Sequence, residues 1–260
     1  MDINFDWYRR NAGYYDLFDA DGIPYEAISI AFGKILRKNG VNAIVDFGCG
    51  TGNFYIPLTQ LGFELLGVDV SAEMISIAKG KIIANNFKPN LIQSDIRSPI
   101  TGNFDAALCL YNVIGDLNYQ DFSKVIGNMV KLIRKNGLVG FDVINFDGIK
   151  NVEFGNKYSV EEKYESESLG KLIRRTKQKL DLLSQSLDIA QHTTVNGKTD
   201  KKSISRCTMY LYTLEQVTNL LNKYGLHALL LYGSYDITSG LVPFKSNDPM
   251  IGVIAQKIYD

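Results

Sequence analysis

The chain has 260 residues, 45% hydrophobic and 22% charged, which fits one globular domain or one domain with an elaboration. Lys+Arg and Asp+Glu are 28 each, so the formal net charge is +0. That disfavours a partner held by phosphate neutralisation, although a local basic patch remains possible. Cys49, Cys109 and Cys207 show neither metal spacing nor a disulfide framework, and the polar, aromatic start "MDINFDWYRRNAGYYD" carries no apolar targeting region. A reducing cytoplasm and no membrane span are the expectation.

In chain order, "PYEAISIAFGKILRKN" (Pro24 to Asn39) has apolar residues at helical spacing, a proline at its start and Gly40 just beyond its end. "AIVDF" reads as a buried strand, and Phe54 to Leu61 as a helix after a glycine turn. "FELLGVDV" is a second strand. Ser71 can cap a helix over Ala72 to Asn85. "NLIQSD" and "FDAALCL" are further strands, Phe122 to Arg134 an amphipathic helix, and "GLVGFDVIN" a fifth strand. This alternation predicts a parallel sheet with helices on both faces. From Lys150 the pattern changes to period two. "KLIRRTKQKL", "SLDIAQHTTVN" and "SISRCTMYLY" read as three antiparallel strands, with Asn196-Gly197 as a hairpin turn. "TLEQVTNLLNKYG" follows, with a capping box at Thr213 and Gln216. "LHALLLYGSYD" and "MIGVIAQKI" close the chain as two strands. The expected organisation is a core over 1–149 and 212–260, with a β-rich layer inserted over 150–211.

The turn after the first strand, Gly48, Gly50 and Gly52 in "VDFGCGTGN", is a ligand site by topology. It departs from the dinucleotide pattern, because Asn53 stands where the last glycine would be. Asp46 just before it would repel a pyrophosphate. It suits a cationic ligand carrying an ammonium and a sulfonium, as S-adenosylmethionine does. Asp69 ends the second strand and can accept from ribose hydroxyls; Asp95 closes the third and can accept from an adenine amine. Met74 and Ile96 offer apolar faces for a ring. Each acid alone could be a turn or cap residue. Three at successive strand ends point to one ligand edge.

"VDFGCGTGN", "LLGVDVSAEMISIAK" and "QSDI" closely resemble class I S-adenosylmethionine-dependent methyltransferases. The resemblance implies a Rossmann-like, doubly wound α/β fold, with a seven-stranded sheet, a C-terminal antiparallel hairpin and the inserted antiparallel β layer. It implies S-adenosylmethionine as cofactor, leaving as S-adenosylhomocysteine, held by Asp46, Gly48, Cys49, Gly50, Asn53, Asp69, Val70, Met74, Ser94, Asp95, Ile96 and Leu110. Tyr14 and Tyr15 match an N-terminal lid, Tyr15 toward the cofactor and Tyr14 toward the substrate. The alternative for this segment is a helix packing its aromatics on the sheet.

"LCLYNVIGDLN", "VGFDVINFDG" and the insertion resemble the branch that methylates small molecules, especially sugars and nucleotide-linked sugars, some on an amine and others on a hydroxyl. The leading expectation is O-methylation of a nucleotide-linked sugar in the cytoplasm, for surface polysaccharide or natural-product synthesis. The second is N-methylation of an amino sugar or small amine. A non-catalytic cofactor-binding protein is a different class, and a dehydrogenase is disfavoured by the missing glycine. Asp116 is the first candidate base and His192 the second, each with a plain reading as a turn or surface residue. Tyr111, Asn112 and Asn145 are expected to line the acceptor site. Arg174, Arg175 and Arg206 are expected to grip a diphosphate, or else to be solvated strand residues. No metal, nucleic acid or membrane partner is expected, and a homodimer is permitted.

Overall fold

Helical segments form where one apolar stripe can be buried. The helix α2 (Tyr25–Lys38) buries Ile28, Phe32 and Leu36 on one face, while Arg37 and Lys38 complement its carbonyl end. The computed structural model describes residues 3–18, 22–150, 158–167, 169–236 and 240–259. Ahead of α2 lies α1 (Ile3–Phe18). The parallel strands β1 (Ala43–Phe47), β2 (Glu64–Asp69), β3 (Leu91–Gln93), β4 (Phe104–Cys109) and β5 (Ile133–Ile144) alternate with α3 (Tyr55–Gln60), α4 (Ala72–Ala84) and α5 (Tyr119–Leu132). Ser71 accepts the Met74 N–H at 3.2 Å and caps α4 as expected. The helix α5 begins before its expected start, because Asn118 accepts the Asp121 N–H at 3.0 Å. It ends earlier too, since Ile133 already turns into β5.

After β5 come the short α6 (Phe146–Ile149) and four antiparallel strands, β6 (Tyr158–Ser166), β7 (Gly170–Asp181), β8 (Ser186–Val195) and β9 (Lys198–Tyr210). Three strands were expected here. The missed β6 is the charge-rich "YSVEEKYES", which propensity disfavours. Its register supplies the reason it pairs: Glu161 lies opposite Arg175 and Glu162 opposite Arg174. The hairpin at Asn196-Gly197 forms as read, with φ of 50° and 73°.

The chain then returns through α7 (Leu214–Lys223), held by the Thr213–Gln216 capping box. It finishes with β10 (Leu226–Asp236), β11 (Gly240–Pro243) and β12 (Met250–Lys257). The main sheet has the order β11-β10-β12-β5-β4-β1-β2-β3, eight strands among the described residues. The expected seven become eight because β11 adds an antiparallel edge to β10.

Alternation along the strands builds an apolar layer on each face. Val45 and Phe47 pack with Phe122, Met129 and Val217, whereas Ile44 packs with Phe32 and Leu36. The chain runs outward from β1 to β3 and then crosses back to β4. The crevice between the carboxyl ends of β1 and β4 is therefore the topological switch point, where ligands bind in open α/β sheets. Among the described residues, no helix is long and apolar enough to cross a membrane.

Candidate active site

The glycine turn sits at that switch point. Gly48 and Gly50 have φ of 73° and 53°, a region open to glycine at little cost. At Gly48 a Cβ would also lie 2.6 Å from a Val113 methyl. The chain can thus bring bare backbone to the mouth of a small cavity of about 80 Å³. Asp46 stands beneath it, 3% exposed, and its Oδ2 has no hydrogen-bond partner. Burial first, and then the charge of Asp69, push its carboxyl up to about 7. An orphaned carboxylate oxygen in a buried cavity fits a cation.

Asp69 is organised differently. Its Oδ2 accepts the Gly50 N–H at 2.9 Å and its Oδ1 the Ser71 N–H at 2.8 Å. Burial raises its carboxyl while these backbone donors counteract part of the rise. Asp95 is gripped by Arg97, with Nε 3.0 Å from each carboxylate oxygen and Nη2 at 2.7 Å from Oδ2. Burial opposes the ionised form of Asp95, but the Arg97 bonds prevail and hold its carboxyl below the usual range.

Asp46, Gly48, Cys49, Gly50 and Asn53 line this inner cavity, as do Asp69, Val70, Met74, Asp95, Ile96 and Leu110. Ser94 does not. Its hydroxyl turns to the Asp95 carbonyl at 3.5 Å. The roof is α1, which contributes Phe5, Tyr8 and Tyr15. Only Tyr15 was expected there. The missed pair was legible, because residues 5, 8 and 15 fall on one helical face. Tyr14, on the neighbouring face, lines neither cavity. Asp16, in the last turn of α1, accepts from Thr51 Oγ1 at 2.7 Å, Asn53 Nδ2 at 3.0 Å and Lys81 Nζ at 3.1 Å. The helix is clasped onto the glycine turn.

A second, larger chamber of about 690 Å³ adjoins the first, and Tyr8, Tyr15 and Tyr111 line both. Its far wall is one face of the β6–β9 sheet: Arg174, Thr176 and Gln178 of β7, with Leu187, Ile189 and Gln191 of β8. Strand alternation sends the intervening residues to the opposite face. His192 is among them and lines neither cavity. Arg206, also between wall residues, is exposed on that opposite face. Arg174 does reach the chamber wall, 4% exposed, but it is committed to Glu162 at 2.8 Å and lies over the Phe18 ring at 4.4 Å.

The remaining expectations divide. Tyr111 and Asn112 line the chamber. Asn145 does not. Its amide donates to the Ser246 and Asp248 carbonyls at 3.0 and 2.7 Å, and its Oδ1 caps α6, so it is a structural clamp. Asp116 lines the inner cavity and not the chamber. Asn4 donates to its carboxylate at 3.3 Å, and the Tyr8 hydroxyl is bonded to it as well. Burial first, and then the Asp116 charge, raise the Tyr8 hydroxyl well above its usual range. Among the described residues no group of His, Cys, Asp and Glu is arranged to hold a metal ion.

A Rossmann-like sheet with a buried acid under a glycine turn, a second acid ending β2 and a third after β3 defines a class. The fold is that of the class I S-adenosylmethionine-dependent methyltransferases. Residues 44–137, which hold all three acids, match the family described as a methyltransferase domain.

A glycine/sarcosine N-methyltransferase of Halorhodospira halochloris is 30% identical over 155 residues, covering 56% of this chain and 58% of that one. The chain spans about half the length of the curated relatives it matches. A solved S-adenosylmethionine-dependent methyltransferase from Clostridium acetobutylicum superimposes with a TM-score of 0.77 at 19% identity, covering 96% of this chain and 98% of that one. The sugar N-methyltransferase KedS8 from a Streptoalloteichus species does so at 0.71 and 17% identity, with 94% and 93% covered.

Proposed function

We propose that this protein transfers the methyl group of S-adenosylmethionine to an amine on a small acceptor, an amino sugar in the first instance. When bound, that cofactor supplies a methyl carbon activated by a sulfonium. Asp46 would face its cationic methionine end, Asp69 its ribose and Asp95 its adenine edge. The 150–211 segment would serve as the acceptor-binding layer. In the reaction the amine lone pair forms a bond to the methyl carbon as the carbon–sulfur bond breaks, and the amine releases its proton to water. Positioning supplies most of the acceleration.

The observation that carries the amine reading is how the chamber's acids are used. Glu162 is held by Arg174, and Asp142 accepts from the Tyr111 and Asn112 N–H groups and the Tyr235 hydroxyl. A hydroxyl acceptor benefits from a base, whereas an amine needs only its neutral form. The hydroxyl reading leaned on Asp116, which lies against the other cavity. A diphosphate grip leaned on Arg174 and Arg206, one already paired and the other facing away. The names of the relatives agree, since glycine/sarcosine and sugar N-methyltransferases both act on nitrogen.

The test is mass spectrometry on a panel of amino sugars, their nucleotide-linked forms, glycine and sarcosine, and the matching hydroxy sugars. The reading expects one methyl gained on nitrogen. Methyl on oxygen alone would overturn the amine assignment. No product with cofactor binding intact would favour a non-catalytic protein.

A further inference from the structure

The end of β4 carries an unusual backbone. Tyr111 and Asn112 are consecutive non-glycine residues in the left-handed region, with φ of 66° and 57°. Asn112 tolerates this region, but it is unfavourable for Tyr111, and such conformations persist where the surroundings impose them. Here a single side chain on the neighbouring strand does so. Asp142, in β5 and 1% exposed, accepts the Tyr111 N–H through Oδ2 at 2.8 Å and the Asn112 N–H through Oδ1. The Tyr235 hydroxyl donates to the same Oδ2 at 2.8 Å and steadies the carboxylate. Two residues along β5 there is a second hold, because the Ile144 N–H donates to Asn112 Oδ1 at 3.2 Å.

The turn so held is the partition between the two cavities. Tyr111 lines both, and its ring packs on Tyr25 of the inner cavity with centroids 5.9 Å apart. Relaxing both residues to ordinary φ would swing that ring and the following turn. We propose that Asp142 is the positioning residue of this site: its carboxylate fixes the Tyr111–Asn112 turn and thereby sets the gap across which the methyl group passes. This role rests on the methyl-transfer reading only for its consequence in turnover. The effect on the backbone stands independently.

In Asp142→Asn one backbone N–H would face an amide NH2 in place of an acceptor. The first readout is hydrogen exchange of the Tyr111 and Asn112 amides, which needs no acceptor. Their protection should fall by about tenfold or more while the β1 and β4 amides keep theirs. The second is kinetic, with an acceptor identified as above. Turnover should fall about 10²-fold while cofactor affinity stays within about threefold, because misplacement costs rate before binding.

Unchanged exchange at Tyr111 and Asn112 would overturn the proposal, as would a turnover loss matched by an equal loss of cofactor affinity. If Asp142→Asn does not fold, Tyr235→Phe carries the test, with severalfold faster exchange at Tyr111 expected and no change refuting it. A wild-type protein that methylates nothing in the panel would sink the amine reading. The exchange result would still decide the role of Asp142.

Discussion

Asp46 links stability, pH and ligand binding in one measurable way. Its carboxyl stands at about 7 against an ordinary 3.8, because burial and the nearby Asp69 both penalise its charge. The folded chain therefore holds this proton more tightly than the unfolded chain does. Stability contributed by the protonated form is fully present below about pH 4, declines as pH rises to about 7 and is level above it. At about 1.4 kcal/mol per unit, the decline is about 4 kcal/mol for this group alone.

A cationic ligand over Asp46 needs the ionised form. Affinity should fall about tenfold per pH unit below 7, reaching about 10²-fold at pH 5, with about one proton released per ligand bound at pH 6. Calorimetric titration of S-adenosylmethionine in two buffers of different ionisation enthalpy reads both quantities. Asp46→Asn should bind more weakly and without this pH dependence. Yet at pH 8 the unliganded variant should melt at a higher temperature than the wild type, because a buried unpaired charge is gone. Flat affinity between pH 5 and 7, or a lower melting temperature for the variant at pH 8, would refute the cation-site reasoning.

Gly48→Ala combines positive φ with a contact at 2.6 Å to Val113. It should cost about 2–4 kcal/mol in urea unfolding, with part regained by adding Val113→Ala; a loss under about 0.5 kcal/mol would be contrary. Asp16→Ala cuts the clasp between α1 and the glycine turn. Its ion pair with Lys81 is half-exposed and worth little. The loss of the Thr51 and Asn53 bonds should still raise the cofactor dissociation rate about 3–10-fold in stopped-flow displacement, with little change in melting temperature. An unchanged rate would mean that α1 does not gate the inner cavity.

The lining of the inner cavity was legible because its residues lie close together in sequence. Asp46 and its glycines fall within seven residues, and Asp69 and Asp95 each end an apolar run. The wall of the larger chamber was legible in kind and not in detail. Period two identified "SLDIAQHTTVN" as a strand, but not which face meets the chamber. His192 and Gln191 were thus equivalent until β8 was seated, and a shift of one residue exchanges them. Asn145 misled for another reason. A polar residue at a strand end reads as a contact, and its capture by the Ser246 and Asp248 carbonyls joins segments about 100 residues apart. The hold that Asp142 exerts was invisible, because nothing local in "VGFDVINFDG" says that its partners are two N–H groups just beyond another strand.

The N-terminal helix shows why its sequence supported two readings at once. A lid and a packed aromatic helix were alternatives on paper, yet α1 is both. One side covers the inner cavity with Phe5, Tyr8 and Tyr15. The other is sewn to the second sheet: Trp7 Nε1 donates to Gln191 at 2.8 Å, Asn11 Nδ2 to Ser205 at 3.0 Å, and Asn4 Nδ2 to the Thr208 carbonyl at 2.8 Å. These donors are buried or nearly so, and leaving any of them without a partner is costly, whereas the clasp at Asp16 is the more exposed end. One helix therefore joins the two cavities: α1 meets the glycine turn through the more exposed Asp16 and meets β8 and β9 through buried side chains.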